Sequence, residues 1–414
     1  MKFEKGIYLV SGDAKITLLS GEVYLIGKKL EKDEIIYIPY GKRVPLEVIS
    51  DSEIDLKINS EDQIQKLPER TIPPEWDKVT EKIEKEKIRT VLVLGEVDTG
   101  KTFFSTYLTN KLISLNKKVS VIDLDAGQSD IGPPGTLGLA VLDKPQVFLS
   151  EVEPTAIYFL GSHSPGLHFL PSLVGFYKLV KKGLSLSDVV IVDTPGWVQG
   201  DGGRALRRSE IELIEPGLII LMQRTNELEH LVKNYPSRKV LRLVVSKKAS
   251  PTSPEERKKL RELLSKKYFR DAKEIEIEFD KIATDRCYLF TGEKIEIPEF
   301  LWVEKLSGWE GILVVSEKEL KDNEILELKK KLAVNRIKNI VSGEEIGIEV
   351  ALCDENSEAI SLAIIKRIDY RSKKFILHSP IKKESINKVK IIQFGSLRLT
   401  LAGEEAGFVE PGYF

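Results

Sequence analysis

One eight-residue segment of the chain has the residue types and the spacing of a phosphate-binding loop. It runs from Gly95 to Thr102 with the sequence GEVDTGKT, which fits the pattern G-x-x-x-x-G-K-[ST]. The amide groups of such a loop face the phosphates of a nucleotide, Lys101 would reach the β- and γ-phosphates, and the Thr102 hydroxyl would hold Mg²⁺. The pattern therefore predicts binding of ATP or GTP with Mg²⁺. The residues predicted to bind the nucleotide are Gly95, Glu96, Val97, Asp98, Thr99, Gly100, Lys101, Thr102 and Phe103.

Two acidic residues follow the loop at a distance that one helix and one return strand can span. Asp123 and Asp125 lie in the sequence DLDAGQ, and alternation along a strand sends both carboxylates toward the same side. One could orient the water shell of Mg²⁺, while the other accepts a proton from an attacking hydroxyl group. Phosphoryl transfer requires both a group that orients the metal and a group that accepts the proton, in addition to residues that bind the phosphates. The alternative is an ordinary strand end at which Gly127 makes a turn.

A third acid, Asp193, ends an apolar strand and begins the sequence DTPG. It matches a Walker B acid, which delivers a carboxylate to the metal, and it also matches the D-x-x-G switch of GTPases. A GTPase needs a guanine-reading N-K-x-D segment as well, and residues 244–249 lie near the expected place but lack the acid. Trp197 follows at once. It is either a stacking surface for a nucleobase or an ordinary packing residue.

The sequence from residue 253 onward has the signals of a helix start. Ser253 suits the N-cap, Pro254 suits the first turn, and Glu256 completes a capping box. Arg257 and Arg261 are four residues apart and therefore share a face of this helix. They could close over the triphosphate and neutralise transition-state charge, or they could belong to a solvated basic face.

The elements that must position these residues form an α/β core between two β-rich domains. Short apolar runs separated by glycines predict an N-terminal all-β domain over residues 1–75. Pro68, Pro73 and Pro74 are followed by a charged, helix-like run, and residues 76–88 are interpreted as a linker. Residues 89–290 alternate strands with helices, which predicts a mostly parallel sheet with helices on both faces and a ligand beyond the carboxyl ends of its strands. Residues 291–414 are again rich in strand patterns.

Composition excludes several other classes of protein. The 414 residues carry a net charge of −1, so any nucleic-acid contact must be local rather than driven by a global basic field. Two cysteines, Cys287 and Cys353, are too few for a disulfide scaffold or a zinc site. No apolar run approaches the roughly 18 residues that span a bilayer, and no signal peptide is recognisable, which predicts a cytoplasmic protein. The richness in Lys and Glu favours a thermophilic source.

Taken together, these segments resemble the family of polynucleotide 5′-hydroxyl kinases that serve tRNA splicing, pre-rRNA processing and mRNA 3′-end cleavage, and above all its archaeal members. The β domain before the core and the β-rich domain after it agree with the family's layout. The matching segments are Gly95–Thr102 as the phosphate loop, Asp123–Gln128 as D-x-D-x-G-Q, Tyr158–Pro165 as Y-F-x-G-x-x-S-P, Thr194–Trp197 as the T-x-G-W clasp, and Arg257 and Arg261 followed by Tyr268 and Phe269 as the lid.

The resemblance implies transfer of the γ-phosphate of ATP or GTP to a 5′-hydroxyl of RNA, with DNA as a further acceptor. By the motif matches, Asp125 is the general base and Lys101 the phosphate clamp, while Thr102 and Asp123 form the Mg²⁺ group. Asp193 is a metal ligand only on the Walker B interpretation. The residues implied in substrate binding are Gln128, His163 and Trp197, and the lid arginines are Arg257 and Arg261.

Two alternatives stay open at this point. Some members of the family serve mainly as scaffolds for RNA-processing proteins, so the chain could be a nucleotide-dependent switch or assembly factor with Asp193 in a true switch loop. A kinase for a small-molecule hydroxyl group is the other alternative. The intact Lys101, Thr102 and acid pair favour a working enzyme.

Overall fold

A computed structural model describes residues 1–246 and 253–414 of the chain. Of the segment considered for guanine reading, residues 247–249 lie outside the described residues.

Residues 1–67 form nine short strands in two sheets, with strand orders β1-β8-β3-β6 and β5-β4-β7-β2-β9. These strands are β1 (Lys2–Phe3), β2 (Gly6–Ser11), β3 (Ala14–Ser20), β4 (Val23–Leu25), β5 (Lys28–Lys29), β6 (Ile35–Ile38), β7 (Arg43–Val48), β8 (Ser52–Lys57) and β9 (Ile64–Leu67).

The segment predicted as a linker is a packed helix, α1 (Glu75–Glu86). Its buried positions recur at Trp76, Val79, Thr80 and Ile83, which is the spacing of one helix face. The Trp76 ring meets Phe104 of the following helix edge-to-face, with 5.0 Å between the ring centroids. Burial of this face ties the N-terminal domain to the core, so the segment is part of the packing and does not act as a free linker.

The central sheet has seven strands in the order β13-β12-β11-β14-β10-β15-β16. The five strands from β11 to β16 in this order are parallel, and β12 and β13 extend one edge antiparallel, which confirms the predicted mostly parallel sheet. The elements are β10 (Thr90–Gly95), α2 (Lys101–Ser114), β11 (Val119–Asp123), β12 (Thr136–Leu142), β13 (Ala156–Phe159), α3 (Phe169–Leu186), β14 (Val189–Asp193), α4 (Gly200–Ile214), β15 (Leu218–Gln223), α5 (Glu229–Val232), β16 (Val240–Val244) and α6 (Pro254–Phe269).

The C-terminal part contains a sheet in the order β17-β25-β24-β23-β26-β18, with β27 on β26, and a second sheet in the order β19-β20-β21-β22. The elements are β17 (Lys273–Glu278), β18 (Ala283–Asp285), β19 (Glu293–Lys294), β20 (Trp302–Leu306), β21 (Gly311–Ser316), α7 (Asp322–Leu332), β22 (Arg336–Val341), β23 (Ile348–Cys353), β24 (Ala359–Asp369), β25 (Lys374–Ser379), β26 (Ile391–Leu399) and β27 (Glu405–Phe408). β17 and β18 precede the boundary drawn at residue 290 but join this sheet, because their pairing partners lie about a hundred residues later in the chain.

Helix α6 joins the core to the C-terminal sheet. Its last turn buries Phe269 among apolar side chains that include Cys353 and Leu362. The Tyr268 hydroxyl accepts a hydrogen bond from the Leu362 amide at 2.9 Å.

Both cysteines are free thiols, as the sequence suggested. Within residues 1–246 and 253–414, we find no helix with the length and apolar character that a bilayer crossing requires.

Glu349 of β23 is an uncompensated acid at the contact between this sheet and the core. It is 2% exposed, and its Oε2 atom has no hydrogen-bond partner among the described residues. Gly135 faces it so closely that a Cβ there would lie 2.9 Å from Oε2. Burial raises the pKa of Glu349 to about 8 from an ordinary value of 4.5. The side chain is therefore neutral in the fold near pH 7.

We expect Glu349→Gln to stabilise the protein by about 4 kcal/mol more at pH 9 than at pH 5, since a pKa raised from 4.5 to about 8 is equivalent to about 1.4 kcal/mol per pH unit. In the wild type, the contribution of Glu349 to the free energy of unfolding is fully present below its unfolded pKa of 4.5. This contribution is lost as the pH rises through the folded pKa of about 8. The amide does not ionise, so it avoids that loss. The measurement is the unfolding midpoint of each variant at both pH values. The exposed Glu355→Gln is the control, and an equal effect of Glu349→Gln at both pH values would contradict the prediction.

Candidate active site

The phosphate loop joins the end of β10 to the first turn of α2. Gly95 is required by space, because a Cβ there would lie 2.5 Å from Thr99 Oγ1. The Thr99 hydroxyl donates to the carbonyl of Glu96 at 2.9 Å and so closes the loop on itself. Asp98 and Gly100 adopt left-handed backbone angles, with φ of 59° and 83°. These turns aim the loop amides and the helix N-terminus at one space, as anion binding requires.

Lys101 lies buried at the first position of α2. Its Nζ donates to the Glu96 carbonyl at 2.8 Å. Burial lowers the pKa of Lys101, while the carboxylates of Asp193 and Asp125 act in the opposite direction. A triphosphate in the loop would offer this ammonium group anionic oxygens that are stronger partners than a carbonyl.

Thr102 and Asp193 meet beside the loop. The Thr102 hydroxyl donates to Asp193 Oδ2 at 2.5 Å, and Asp193 Oδ1 is buried with no hydrogen-bond partner among the described residues. Burial raises the pKa of Asp193 to about 7, and Lys101 and the Thr102 hydroxyl oppose this. A hydroxyl and a free carboxylate oxygen next to bound phosphates are the oxygen ligands that Mg²⁺ uses. These two residues therefore fit the cation, which supports the Walker B interpretation.

Asp123 lies next to Asp193 on the neighbouring strand, and backbone amides engage both of its carboxylate oxygens. Its Oδ1 accepts from the amide of Asp125 at 2.9 Å, and its Oδ2 accepts from the amides of Asp130 and Ile131 at 2.6 and 3.2 Å. Burial, together with the neighbouring charge of Asp193, raises the pKa of Asp123 well above its ordinary value. With both oxygens engaged by backbone amides, Asp123 shapes the loop that follows it. The place of Asp123 in the Mg²⁺ group stays a prediction, and with both oxygens engaged it would act on the water shell of the cation.

Asp125 lies beyond the end of β11, so strand alternation does not set its direction. Its Oδ1 accepts from the amides of Gly127 and Gln128 at 3.1 and 3.0 Å, which fixes a tight turn. A Cβ at Gly127 would lie 2.7 Å from the carbonyl of His163, so the turn also needs its glycine. The other carboxylate oxygen makes no hydrogen bond among the described residues and is available to a substrate.

A cavity of about 610 Å³ brings most of these groups together. The core contributes Lys101, Thr102, Asp125, Gln128 and Asp193, helix α6 contributes Arg261 and Lys267, and the N-terminal domain contributes Tyr37, Tyr40 and Lys42. An adjoining cavity of about 570 Å³ lies between the N-terminal domain, the phosphate loop with the start of α2, and helix α6. Such volumes suit a nucleotide and part of an acceptor.

The contribution of the N-terminal domain to the cavity was not predicted from the sequence. Lys42 Nζ pairs with Asp130 Oδ1 at 2.9 Å, and the aromatic ring of Tyr40 lies 5.0 Å from Lys259 Nζ of α6. These contacts join the N-terminal domain to the core and to helix α6 at the cavity. They join residues that are far apart in the chain, and no local pattern marks them.

Trp197 is half-buried and rests on the first turn of α4. A Cβ at Gly202 would lie 2.7 Å from its ring, and the ring of Phe169 lies 5.8 Å away between centroids. Gly196 lines the cavity and touches the phosphate loop, because a Cβ there would lie 2.5 Å from the Val97 amide nitrogen. The clasp therefore contacts the phosphate loop through Gly196, whereas Trp197 packs against α4 and is not among the described residues that line the cavity.

Both lid arginines form ion pairs, so they do not belong to a freely solvated face. Arg257 Nη2 donates to Asp98 Oδ2 of the phosphate loop at 2.8 Å, and Arg261 Nε donates to Glu405 Oε1 at 2.7 Å. The capping box predicted at the start of α6 is confirmed. The Nδ1 atom of His163 lies 3.6 Å from the same Glu405 oxygen, and His163 is not among the described residues that line the cavity. Its role in substrate binding stays a prediction.

Comparison with known proteins agrees with this geometry. The family model for the mRNA cleavage and polyadenylation factor CLP1 P-loop matches residues 95–271. A polyribonucleotide 5′-hydroxyl-kinase of Pyrococcus abyssi is 34% identical over 346 residues, which cover 82% of this chain and 96% of that protein. One of Methanocaldococcus jannaschii is 33% identical over 77% of this chain and 90% of its own length.

The fold also matches a solved structure. Clp1p, as seen in its complex with a fragment of Pcf11p, superposes with a TM-score of 0.68 over 96% of this chain and 97% of that one, at 14% sequence identity. At this identity the likeness concerns the fold. The sequence relationship is carried by the archaeal proteins, which this chain covers almost from end to end. We conclude that the chain belongs to the polyribonucleotide 5′-hydroxyl-kinase family with a CLP1-type P-loop.

Proposed function

We infer that this protein transfers the γ-phosphate of ATP or GTP to the 5′-hydroxyl end of RNA, with DNA as a further acceptor. The observation that carries the proposal is the position of Asp125, held by its turn in the same cavity as Lys101. A carboxylate beside a phosphate clamp can accept the proton of a hydroxyl group that attacks the γ-phosphate.

The nucleotide side of the reaction uses the loop and the lid. The loop amides and Lys101 bind the β- and γ-phosphates, and Arg261 faces the same cavity, where it can neutralise charge that develops on the transferred group. Thr102 and Asp193 would hold Mg²⁺, which supplies charge neutralisation between the phosphates when bound. The Asp98–Arg257 pair links loop and lid, so nucleotide binding and lid position are coupled.

The acceptor side uses Asp125, Gln128 and Trp197. In our proposal, Asp125 takes the proton of the 5′-hydroxyl through its unengaged oxygen. Gln128, which lines the cavity, helps to position the terminal nucleotide, and the indole of Trp197 stacks on its base. Stacking tolerates any base, which suits an enzyme that recognises an end rather than a sequence.

The test supplies the full chain with γ-labelled ATP, Mg²⁺ and a short RNA that carries a 5′-hydroxyl, beside the same RNA with a 5′-phosphate. We expect label only on the 5′-hydroxyl RNA, and none with Lys101→Ala. A DNA oligonucleotide and a free nucleoside are the further acceptors. Label confined to the nucleoside would favour a small-molecule kinase. Bound ATP without transfer to any acceptor would favour the switch or scaffold alternative, in which RNA-processing proteins are the partners.

A further inference from the structure

The hairpin that joins β26 to β27 contacts helix α6 along one side. We call residues 399–408 the docking hairpin. Gly403 approaches the helix backbone so closely that a Cβ there would lie 2.8 Å from the Lys266 amide nitrogen. Lys266 Nζ pairs with Glu404 Oε1 at 2.7 Å in the same region. The hairpin is therefore seated on α6 by backbone contact and by an exposed ion pair.

The next residue of the hairpin, Glu405, makes a contact of a different kind. Its Oε1 accepts from Arg261 Nε at 2.7 Å, and the side chains of Arg261 and Glu405 are 18% and 23% exposed. Arg261 lines the cavity that also contains Lys101 and Asp125. Its two terminal nitrogen atoms make no hydrogen bond among the described residues. The carboxylate thus engages the inner nitrogen of the guanidinium and leaves the outer ones available to a phosphate.

We propose that Glu405 is a positioning residue for phosphoryl transfer, which holds the guanidinium of Arg261 in the orientation that meets the γ-phosphate. The inference rests on the proposed kinase function. It assigns a role to the C-terminal domain in a reaction whose other groups come from the core and the lid.

The physical reason is the freedom of an arginine side chain. A long, unrestrained side chain must be ordered when it stabilises a transition state, and that ordering opposes catalysis. A carboxylate on Nε fixes the plane of the guanidinium before the nucleotide arrives, and the planar group then presents paired donors to phosphate oxygens. Glu405 pairs with one nitrogen only, so the outer part of the cation is not neutralised by a second contact.

His163 completes the surroundings of the carboxylate. Its Nδ1 lies 3.6 Å from Glu405 Oε1, and burial together with the nearby Arg261 lowers the pKa of His163 to about 4. A neutral imidazole does not compete with Arg261 as a cation. The other charged group that acts on Glu405 is Lys258 of α6. Arg261 is therefore the main cationic partner of Glu405, and His163 is a neutral neighbour of the same carboxylate.

The chain offers a matched control for this proposal in Glu404. Glu404 and Glu405 are adjacent, both pair with cations of α6, and both help to seat the docking hairpin. Only Glu405 pairs with a residue of the cavity. The variants are Glu405→Gln, Glu404→Gln, Arg261→Ala and the double variant Glu405→Gln/Arg261→Ala, each in the full chain and each checked for an unchanged melting temperature.

We expect Glu405→Gln to lower kcat for transfer to a 5′-hydroxyl RNA about tenfold, because a neutral amide loses the charge-assisted part of the hydrogen bond that holds Arg261 Nε, and to change the KM for ATP by less than about twofold. Glu404→Gln should retain wild-type kcat. The double variant should be no slower than Arg261→Ala alone, because Glu405 acts through that arginine. A wild-type kcat in Glu405→Gln would overturn the proposal, and so would losses that multiply in the double variant.

A second measurement separates this proposal from the kinase function itself. The ratio of affinities for AMP-PNP, an analogue whose β–γ nitrogen bridge resists hydrolysis, and for ADP reports contacts to the γ-phosphate without any acceptor. We expect Arg261→Ala and Glu405→Gln to lower this ratio alike and Glu404→Gln to leave it unchanged. If the wild-type protein binds nucleotide but transfers no phosphate, the kinase proposal fails. The ratio of affinities would then still test whether Glu405 positions Arg261 toward the γ-phosphate. An unchanged ratio in Glu405→Gln would overturn the positioning role.

Discussion

Replacing Asp125 with asparagine is expected to slow phosphoryl transfer about a thousandfold, because an amide cannot accept the proton of the attacking hydroxyl group. The substitution is well matched to the local structure. Asp125 Oδ1 accepts hydrogen bonds from the amides of Gly127 and Gln128, and the amide oxygen of asparagine can accept the same two. The turn is therefore retained while the base is removed.

The measurement is single-turnover transfer of label to a 5′-hydroxyl RNA at saturating ATP and Mg²⁺. ATP affinity and melting temperature should remain at wild-type values in Asp125→Asn. Asp125→Ala is the companion variant, since it removes both the base and the turn and should also lower the melting temperature. Transfer by Asp125→Asn at more than about a tenth of the wild-type rate would exclude Asp125 as the general base.

The second large effect distinguishes two acids that lie side by side. Asp123 and Asp193 face each other in register on the parallel strands β11 and β14. In our proposal only Asp193 holds the cation. We expect Asp193→Asn to lower the rate at a fixed low Mg²⁺ concentration at least about a hundredfold and to raise the Mg²⁺ concentration needed for half-maximal activity. Its melting temperature should not fall, because the change removes a buried charge.

Asp123→Asn is expected to show the opposite pattern. One face of the new amide would present N–H groups to the backbone amides of Asp130 and Ile131, which lose their acceptor. Each buried donor left unpaired costs about 1–3 kcal/mol, so the melting temperature should drop by several degrees. The Mg²⁺ requirement of the folded fraction should stay unchanged. A large rise in that requirement, with normal stability, would place Asp123 among the direct ligands of the cation.

Local sequence patterns were enough to predict the parts of the site that lie within one strand-loop-helix unit. The phosphate loop, its Lys101 and the strand that ends at Asp193 are each encoded by contiguous residues whose spacing fixes their geometry. The fold class was predictable for a related reason, since apolar strands alternating with helices leave few arrangements. The kinase family was predicted from the resemblance of the motifs at Gly95–Thr102, Asp123–Gln128 and Thr194–Trp197. The roles assigned to individual site residues remain predictions that the variants above test.

The remaining parts depend on contacts between distant segments. The two acids of the DLDAGQ segment were expected on one side of a strand, but β11 ends at Asp123, and the chain then turns back so that amides reach its carboxylate. Lys42 and Glu405 come from domains on either side of the core, and neither lies in a recognisable motif. β17 and β18 were assigned to the core because they follow it in sequence, although they pair with strands near the C-terminus.

The burial of Phe269 against Cys353 and Leu362 has a consequence for how the enzyme comes into being. A protein is synthesised from its N-terminus, and the phosphate loop with its sheet can fold while the rest of the chain is still on the ribosome. Most of the apolar surface that receives the last turn of α6 comes from strands β23, β24 and β26, which emerge after the helix, and Phe159 of the core supplies the rest. In a nascent chain the phosphate loop would therefore be complete before the lid helix is fully seated.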